Sequence, residues 1–214
     1  MRTRYGMSTS RWSWIAGTLA LAFTLGCGGA VADELGEVEI GEQMPDFTMP
    51  VVGTEDEEVT LSELEEQLVV VYYRCNHCPW IVGSDPHFNE LVEAVEEEYG
   101  DEVSFYGINP HDDMSDEQIV EYAEEAEVNR TILRDVGHEY ADEIGATRTP
   151  EVYIVDNRDP DDMMVLRYHG AFDDRDVPNE AGETNYVAQA LQQLLAGEEV
   201  EVAEVDAWGC TINR

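Results

Sequence analysis

The chain has 214 residues, 43% of them hydrophobic, which is enough for one ordinary domain with its own core. Its 48 acidic residues against 11 arginines and no lysine give a formal net charge of −37. Because phosphate binding needs clustered basic side chains, this composition excludes a nucleic-acid-binding protein.

Residues 1–26 have the pattern of an export signal. Three arginines precede an apolar run that ends at Gly26 and is shorter than the about 20 residues of a membrane span. Small residues stand before Cys27, as in a bacterial lipoprotein signal. We therefore expect Cys27 to carry a lipid that is the only attachment to the membrane, and the domain to lie in the periplasm or cell envelope. Cleaved secretion and an uncleaved anchor are the alternatives, and residues 27–42 are predicted to be an acidic, Gly-rich tether.

The body of the chain alternates short apolar runs with helical patterns. An extended segment at 47–53 comes first, and a short strand or turn at 59–64 follows it. Residues 68–73 are a continuous apolar and β-branched run, which is typical of a central strand buried on both faces. Apolar residues at helical spacing then predict a helix through 88–99, and Gly100 is placed to end it.

The later elements continue this alternation. They are a strand at 103–108, a helix opened by Ser115, a short strand at 131–133, a helix at 138–144 ended by Gly145, a strand at 151–156, its hairpin partner at 164–169, and a last helix capped by Gly197. Strands that alternate with helices predict one α/β domain over residues 43–198. Residues 199–214 are predicted to be a C-terminal tail.

Cys75 and Cys78 form a Cys-x-x-Cys pair between the central strand and the following helix. A zinc site would need two more ligands at matching spacing, and no second such pair occurs in the sequence. A purely structural disulfide across so short a loop would stabilise little. The context favours redox chemistry. We predict a redox-active Cys75–Cys78 disulfide with no other cofactor and no metal; a metal site and an inert pair are the alternatives.

The helix predicted after the pair assigns roles to its two thiols. The unpaired N–H groups and partial positive charge of a helix N-terminus favour a thiolate at Cys75, which makes Cys75 the nucleophile. Cys78 is placed to resolve the mixed disulfide. His77, when protonated, and Arg74 are expected to stabilise the thiolate further and make the couple more oxidising. For Arg74, a solvated surface position is the alternative.

Three motifs resemble those of a known family. They are CNHCPW at 75–80, Thr149-Pro150 before a strand, and GCTI at 209–212. Together they resemble the thioredoxin superfamily, in particular the peroxiredoxin-like group of the alkyl hydroperoxide reductase/thiol-specific antioxidant (AhpC/TSA) family, from about Gly41 to the C-terminus. The resemblance implies a thioredoxin-like α/β fold, with a central mixed sheet flanked by helices and an N-terminal β extension. It also implies a cis peptide at Thr149-Pro150, where the backbone of Thr149 docks an extended substrate segment.

The sequence departs from the family pattern at two places. Peroxiredoxins carry Pro and Thr seven and three residues before the peroxide-reactive Cys, but Leu68 and Tyr72 stand there before Cys75, and the register from Cys78 fits no better. The buried Asp that thioredoxin carries before its first Cys is replaced by Val69. Glu151, just after the proline, is the candidate substitute for that proton acceptor.

Cys210 is the remaining thiol of the domain. With Cys27 lipidated it has no obvious partner in the sequence. We expect a packed structural role; a second resolving cysteine and a link to another chain are the alternatives.

These features predict a thiol–disulfide oxidoreductase that acts on thiols and disulfides of exported proteins. Its electrons would come from a membrane or secreted redox partner. A thiol peroxidase is the first alternative, which the missing Pro and Thr oppose. The second is a copper carrier of the same fold, with Cys75, Cys78 and a His as ligands, since soft thiolates suit Cu(I).

The net charge of −37 leads to a prediction about salt. Like charges destabilise the compact chain, and salt shortens the range of their repulsion to about 8 Å at physiological strength and less above it. We expect the melting temperature to rise from low-salt buffer to molar sodium chloride, as in a protein that works in concentrated salt. A melting temperature unchanged by salt would indicate an ordinary acidic, soluble surface.

Overall fold

The computed structural model describes residues 36–214, so the predicted signal segment and Cys27 lie outside the described residues. Within this range the strands are β1 (Thr48–Pro50), β2 (Glu58–Thr60), β3 (Leu68–Tyr73), β4 (Val103–Asn109), β5 (Thr131–Arg134), β6 (Arg148–Thr149), β7 (Glu151–Asp156), β8 (Val165–Gly170), β9 (Glu204–Val205) and β10 (Cys210–Thr211). The helices are α1 (Pro79–Tyr99), α2 (Asp116–Glu125), α3 (Glu139–Ile144) and α4 (Tyr186–Leu195). No helix in this part of the chain is both long and apolar enough to span a membrane.

A six-stranded mixed sheet, in the order β5-β4-β3-β7-β8-β9, forms the centre of the fold. Strands β3, β4 and β5 run parallel to one another, whereas β7 is antiparallel to both β3 and β8. The hairpin of β7 and β8 and the central position of β3 are both confirmed. All six residues of β3 are buried, as its apolar run predicts.

The two faces of the sheet bury separate apolar clusters. Side chains of β3 alternate between them, with Tyr72 on one face and Tyr73 on the other. On the first face, α1 and α4 pack over the sheet, and the ring of Phe88 stacks on Tyr72 at 4.4 Å and on Phe172 at 4.0 Å between centroids. On the second face, α3 and the N-terminal segment with β1 cover the sheet. The thioredoxin-like mixed sheet with flanking helices is therefore confirmed.

Capping residues end or begin two helices where the sequence predicted it. Gly100 ends α1 with a positive φ of 57°. Ser115 caps α2 in a capping box, in which its hydroxyl accepts from the Gln118 N–H and the Gln118 side chain accepts from the Ser115 N–H. The predicted N-terminal β extension is the antiparallel hairpin of β1 and β2.

Two segments that we separated from the domain belong to it. Residues 36–42, predicted to be part of a tether, lie against the domain through backbone hydrogen bonds from Gly36 to Asp142 and from Gly41 to Leu166. The C-terminal segment 199–214 adds β9 to the main sheet beside β8 and pairs β10 with β6. It forms one compact unit with the rest of the described chain. The pairing of β9 with β8 and that of β10 with β6 join residues far apart in the chain, so neither could be predicted from local sequence.

A buried carboxylate ties together the elements around the end of β3. Asp85, on α1, is 1% exposed and lies 3.0 Å from the guanidinium of Arg74, which directly follows β3. The hydroxyl of Tyr122 on α2 donates at 2.9 Å to the same oxygen that Arg74 contacts, and the other oxygen accepts from Arg130, next to β5. Two buried guanidinium groups therefore share one carboxylate.

This arrangement predicts a large stability loss in Asp85→Asn. The substitution leaves two buried guanidinium groups without their shared counter-ion, and breaking a buried ion pair costs about 3–5 kcal/mol. Urea unfolding followed by circular dichroism measures the loss. The control is Glu90→Gln on the same helix, because the exposed Glu90–His87 pair contributes about 0–1 kcal/mol. Equal stability of the two variants would contradict the assigned role of Asp85.

Candidate active site

The Cys-x-x-Cys pair forms a tight turn between β3 and α1. The Cys78 N–H donates to the Cys75 carbonyl at 3.2 Å, and Cys78 is the N-cap of α1, with Pro79 at its first position. The pair therefore lies at the N-terminus of a helix, as predicted. Cys75, however, precedes the first helical turn instead of lying within it.

The position of Cys75 changes its predicted ionisation. Its side chain is 8% exposed, and burial raises the pKa of the Cys75 thiol above its ordinary value. The backbone N–H groups of His77 and Cys78 donate to the sulfur and lower the pKa, but burial outweighs them. The shift is opposite to the lowered pKa that the helix N-terminus led us to predict.

Neither His77 nor Arg74 directs its side-chain charge at the Cys75 sulfur in the way that we predicted. The side chain of His77 is exposed, and the residue contributes its backbone N–H to Cys75. Arg74 is fully buried, so the solvated alternative is wrong. Its charge is paired with Asp85, and it also donates to the side-chain carbonyl of Asn76 at 3.5 Å. Arg74 therefore supports the turn through Asp85 and Asn76.

The Thr149-Pro150 peptide is cis, as the resemblance implied. Thr149 is fully buried, and the Cys78 thiol donates to its carbonyl oxygen at 3.0 Å. The turn and the cis-proline segment are thus in direct contact. The backbone edge of Thr149, to which we assigned substrate docking, is paired with Cys210 in the antiparallel ladder of β6 and β10.

This pairing brings Cys210 into the site. Its sulfur lies 2.6 Å from the sulfur of Cys78. Burial raises the pKa of Cys210 to about 12, together with its hydrogen bond to Cys78 and the charges of Cys78 and Cys75, while the Trp80 N–H lowers it. Three thiols therefore meet at the N-terminus of α1.

Several contacts hold the C-terminal strand in place. Gly209 has a φ of +135°, and a Cβ at this position would lie 2.3 Å from the Thr149 carbonyl oxygen, so only glycine allows the approach. Ile212 is buried, and its N–H donates to the Thr147 carbonyl at 3.0 Å. The indole of Trp208 packs on Trp80, with ring centroids 5.0 Å apart, and donates to a backbone carbonyl at 2.7 Å.

Glu151 does not act as the proton acceptor that we considered. Its carboxylate accepts hydrogen bonds from the Thr147 and Arg148 N–H groups, the Tyr153 hydroxyl and His169. Burial alone would raise the pKa of Glu151, but these hydrogen bonds hold it below its ordinary value. It faces the sheet side opposite to the cysteines, together with Tyr153.

Sequence reasoning missed Asn76, Asp85 and Trp208. Asn76 is buried within the turn, and its amide donates to the Gln118 carbonyl at 3.2 Å. The available signals were weak: a polar residue between the two cysteines, an acidic residue within an apolar helix face, and a Trp beside the last Cys. Among residues 36–214, no group of three His, Cys, Asp or Glu side chains is arranged to hold a metal ion.

Comparison with known proteins agrees with the observed fold. The structure matches a hypothetical protein from Sinorhizobium meliloti 1021 at a TM-score of 0.71 and 22% identity, covering 83% of this chain and 96% of that one. It matches an uncharacterized conserved protein from Geobacillus kaustophilus at a TM-score of 0.69 and 29% identity, covering 82% and 92%. Peroxidoxin BcpB from Mycobacterium tuberculosis matches at 0.55 and 19% identity, covering 75% and 98%.

The search of curated proteins finds no match to the sequence. The model of the AhpC/TSA family matches residues 40–160, which is more than half of the chain. This range includes the Cys-x-x-Cys turn and the cis-proline segment. The chain therefore belongs to the AhpC/TSA family of redox proteins within the thioredoxin superfamily.

Proposed function

We propose that the protein is a thiol–disulfide oxidoreductase that acts on exported proteins through Cys75 and Cys78. The observation that carries this proposal is the contact of the Cys-x-x-Cys turn with the cis-proline segment, in which the Cys78 thiol lies 3.0 Å from the Thr149 carbonyl oxygen. A dithiol at a helix N-terminus is suited to exchange with a disulfide.

The burial of the two thiols supports the order of reaction that we propose for them. Cys75 is 8% exposed and Cys78 is 1% exposed, so Cys75 is the thiol that an incoming disulfide meets first. Its thiolate attacks one sulfur of the substrate disulfide and releases the other as a thiolate. Cys78, after losing its proton, attacks the Cys75 sulfur and releases the second substrate thiol. The substrate gains two electrons, and the protein retains a Cys75–Cys78 disulfide.

The surroundings of Cys75 oppose the peroxidase alternative. Tyr72 stands where a peroxiredoxin carries Thr, but its ring stacks on Phe88 and its hydroxyl accepts from Arg130 at 2.6 Å. That hydroxyl is engaged within the core. The raised pKa of Cys75 also leaves less thiolate for attack on a peroxide at neutral pH.

The site of action is part of the same proposal. The N-terminal pattern of residues 1–26 supports export, with a lipid on Cys27. Outside the cytoplasm the dithiol must exchange electrons with a membrane or secreted partner that restores its starting state. Protein thiols and disulfides are the proposed substrates.

Cysteine substitutions test this function in insulin reduction by dithiothreitol. We expect Cys75→Ser to abolish the catalysed rate, because the nucleophile is lost. We expect Cys78→Ser to accumulate a mixed disulfide between Cys75 and the substrate, because the resolving thiol is lost. Cys27→Ser is the matched control and keeps the wild-type rate. Full activity of Cys75→Ser, or no activity in the unchanged chain, would refute the proposal.

The raised pKa of Cys75 predicts a distinct pH dependence. Below its pKa, the thiolate fraction increases about tenfold per pH unit. In the Cys78→Ser chain, we expect the alkylation rate of Cys75 by iodoacetamide to keep rising to about pH 9, the ordinary thiol value, without levelling off. The same chain in urea is the control and levels off near that value. A plateau near neutral pH in the folded chain would mean a stabilised thiolate instead.

A further inference from the structure

We propose that Cys210 is a third catalytic thiol, which takes over the disulfide from Cys75 by attacking the sulfur of Cys78. This inference rests on the proposed function, because that function forms the Cys75–Cys78 disulfide. In this proposal the C-terminal strand, β10, supplies a reacting thiol.

The first support is the distance between the sulfur atoms. The sulfur atoms of Cys210 and Cys78 lie 2.6 Å apart, closer than two thiols that merely pack together and about half an ångström longer than a disulfide bond of about 2.05 Å. The two sulfur atoms are therefore already placed for exchange once Cys78 forms a disulfide with Cys75. Cys78 thus shares a turn with Cys75 and contacts the sulfur of Cys210, which lies on β10.

The second support is that the fold builds this approach. The strand with Cys210 is paired with Thr149, and the absence of a side chain at Gly209 allows the close contact. Packing of Trp208, two residues before this strand, on Trp80 joins the same segment to the first turn of α1. These contacts hold Cys210 against Cys78, the buried thiol that an external substrate cannot reach.

The third support is exposure. Cys78 is 1% exposed, whereas Cys210 is partly exposed. A disulfide carried by Cys78 and Cys210 therefore has one sulfur that a redox partner can attack. Transfer to Cys210 also frees Cys75 to meet the next substrate.

The ionisation of Cys210 depends on the state of the other two thiols. Burial is the largest cause of its raised pKa, and its hydrogen bond with Cys78 and the charges of Cys78 and Cys75 follow. The contributions of Cys78 and Cys75 vanish once these residues form a disulfide, while the Trp80 N–H still stabilises the thiolate. Cys210 thus becomes a better nucleophile when the site is oxidised.

The proposed step conserves atoms and electrons. The Cys210 thiolate attacks the Cys78 sulfur, the bond between Cys75 and Cys78 breaks, and Cys75 leaves as a thiolate. Cys75 takes up one proton in place of the proton that Cys210 lost. The protein gains and loses no electrons, and its two-electron oxidised state moves from one disulfide to the other.

The arginine positions make this exchange directly measurable. The chain has no lysine, so trypsin cuts only after arginine and releases Cys75 and Cys78 together on peptide 75–130, and Cys210 on peptide 176–214. A Cys75–Cys78 disulfide lies within one peptide, whereas a disulfide to Cys210 links the two. Full-length chain is oxidised with diamide, quenched in acid, alkylated, digested and mapped by mass spectrometry.

We expect linked peptides in the unchanged chain and as the main oxidised product of Cys75→Ser. We expect none in Cys78→Ser, because Cys210 contacts Cys78. Gly209→Ala is expected to reduce the linked product, since its Cβ would collide with the Thr149 backbone, whereas Gly197→Ala, also at positive φ but with open space around it, keeps it. Circular dichroism melts confirm that each variant is folded.

Free thiols at both Cys78 and Cys210 in oxidised, folded Cys75→Ser, or linked peptides in Cys78→Ser, would overturn the role of Cys210. The Cys210→Ser chain separates this result from a failure of the proposed function. If that chain forms a reversible Cys75–Cys78 disulfide and reduces insulin, the proposed function holds whatever the fate of Cys210. If it does neither, the proposed function fails, and with it the exchange from Cys75 to Cys210.

Discussion

The buried carboxylate of Asp85 is the interaction on which the site region depends. It joins the end of β3, helix α1, the Tyr122 hydroxyl on α2 and the start of β5 within one hydrogen-bonded group. A single carboxylate facing two guanidinium groups is costly to bury unless every partner is in place, so the group enforces one arrangement of these elements. Because Arg74 immediately precedes Cys75, the turn with the two cysteines starts from a fixed point.

The C-terminal strand imposes the second constraint. It occupies the edge of Thr149, where an extended substrate segment would otherwise pair, and it carries its own thiol to that place. A substrate must therefore either displace this strand or approach Cys75 from the side of the exposed His77. The close backbone contact at Gly209 and the burial of Ile212 favour the second route, since displacement would uncover a buried apolar side chain.

The features that could be predicted from sequence are those that local chemistry determines. The continuous apolar run of β3, the end of α1 at Gly100 and the Ser115 cap follow from neighbouring residues, and the structure contains all three. The ionisation of Cys75 depends on burial by distant elements, and helix position alone led to the wrong sign. Cys210 and Cys78 are in contact although they lie 132 positions apart in the sequence, and a periodic pattern of apolar residues cannot predict such a contact.

The surroundings of the three thiols also indicate what kind of reaction suits this site. Reaction with a small oxidant in water is favoured by an exposed thiolate of low pKa, whereas Cys75 and Cys210 both have raised pKa values. Under the proposed function, a docked protein substrate holds its sulfur atoms beside Cys75, and this proximity compensates for the small thiolate fraction. A net charge of −37 attracts basic surfaces, and high salt weakens that attraction at long range first. Under the proposed function, specific contact at the site, more than the reactivity of any one thiol, selects the substrate.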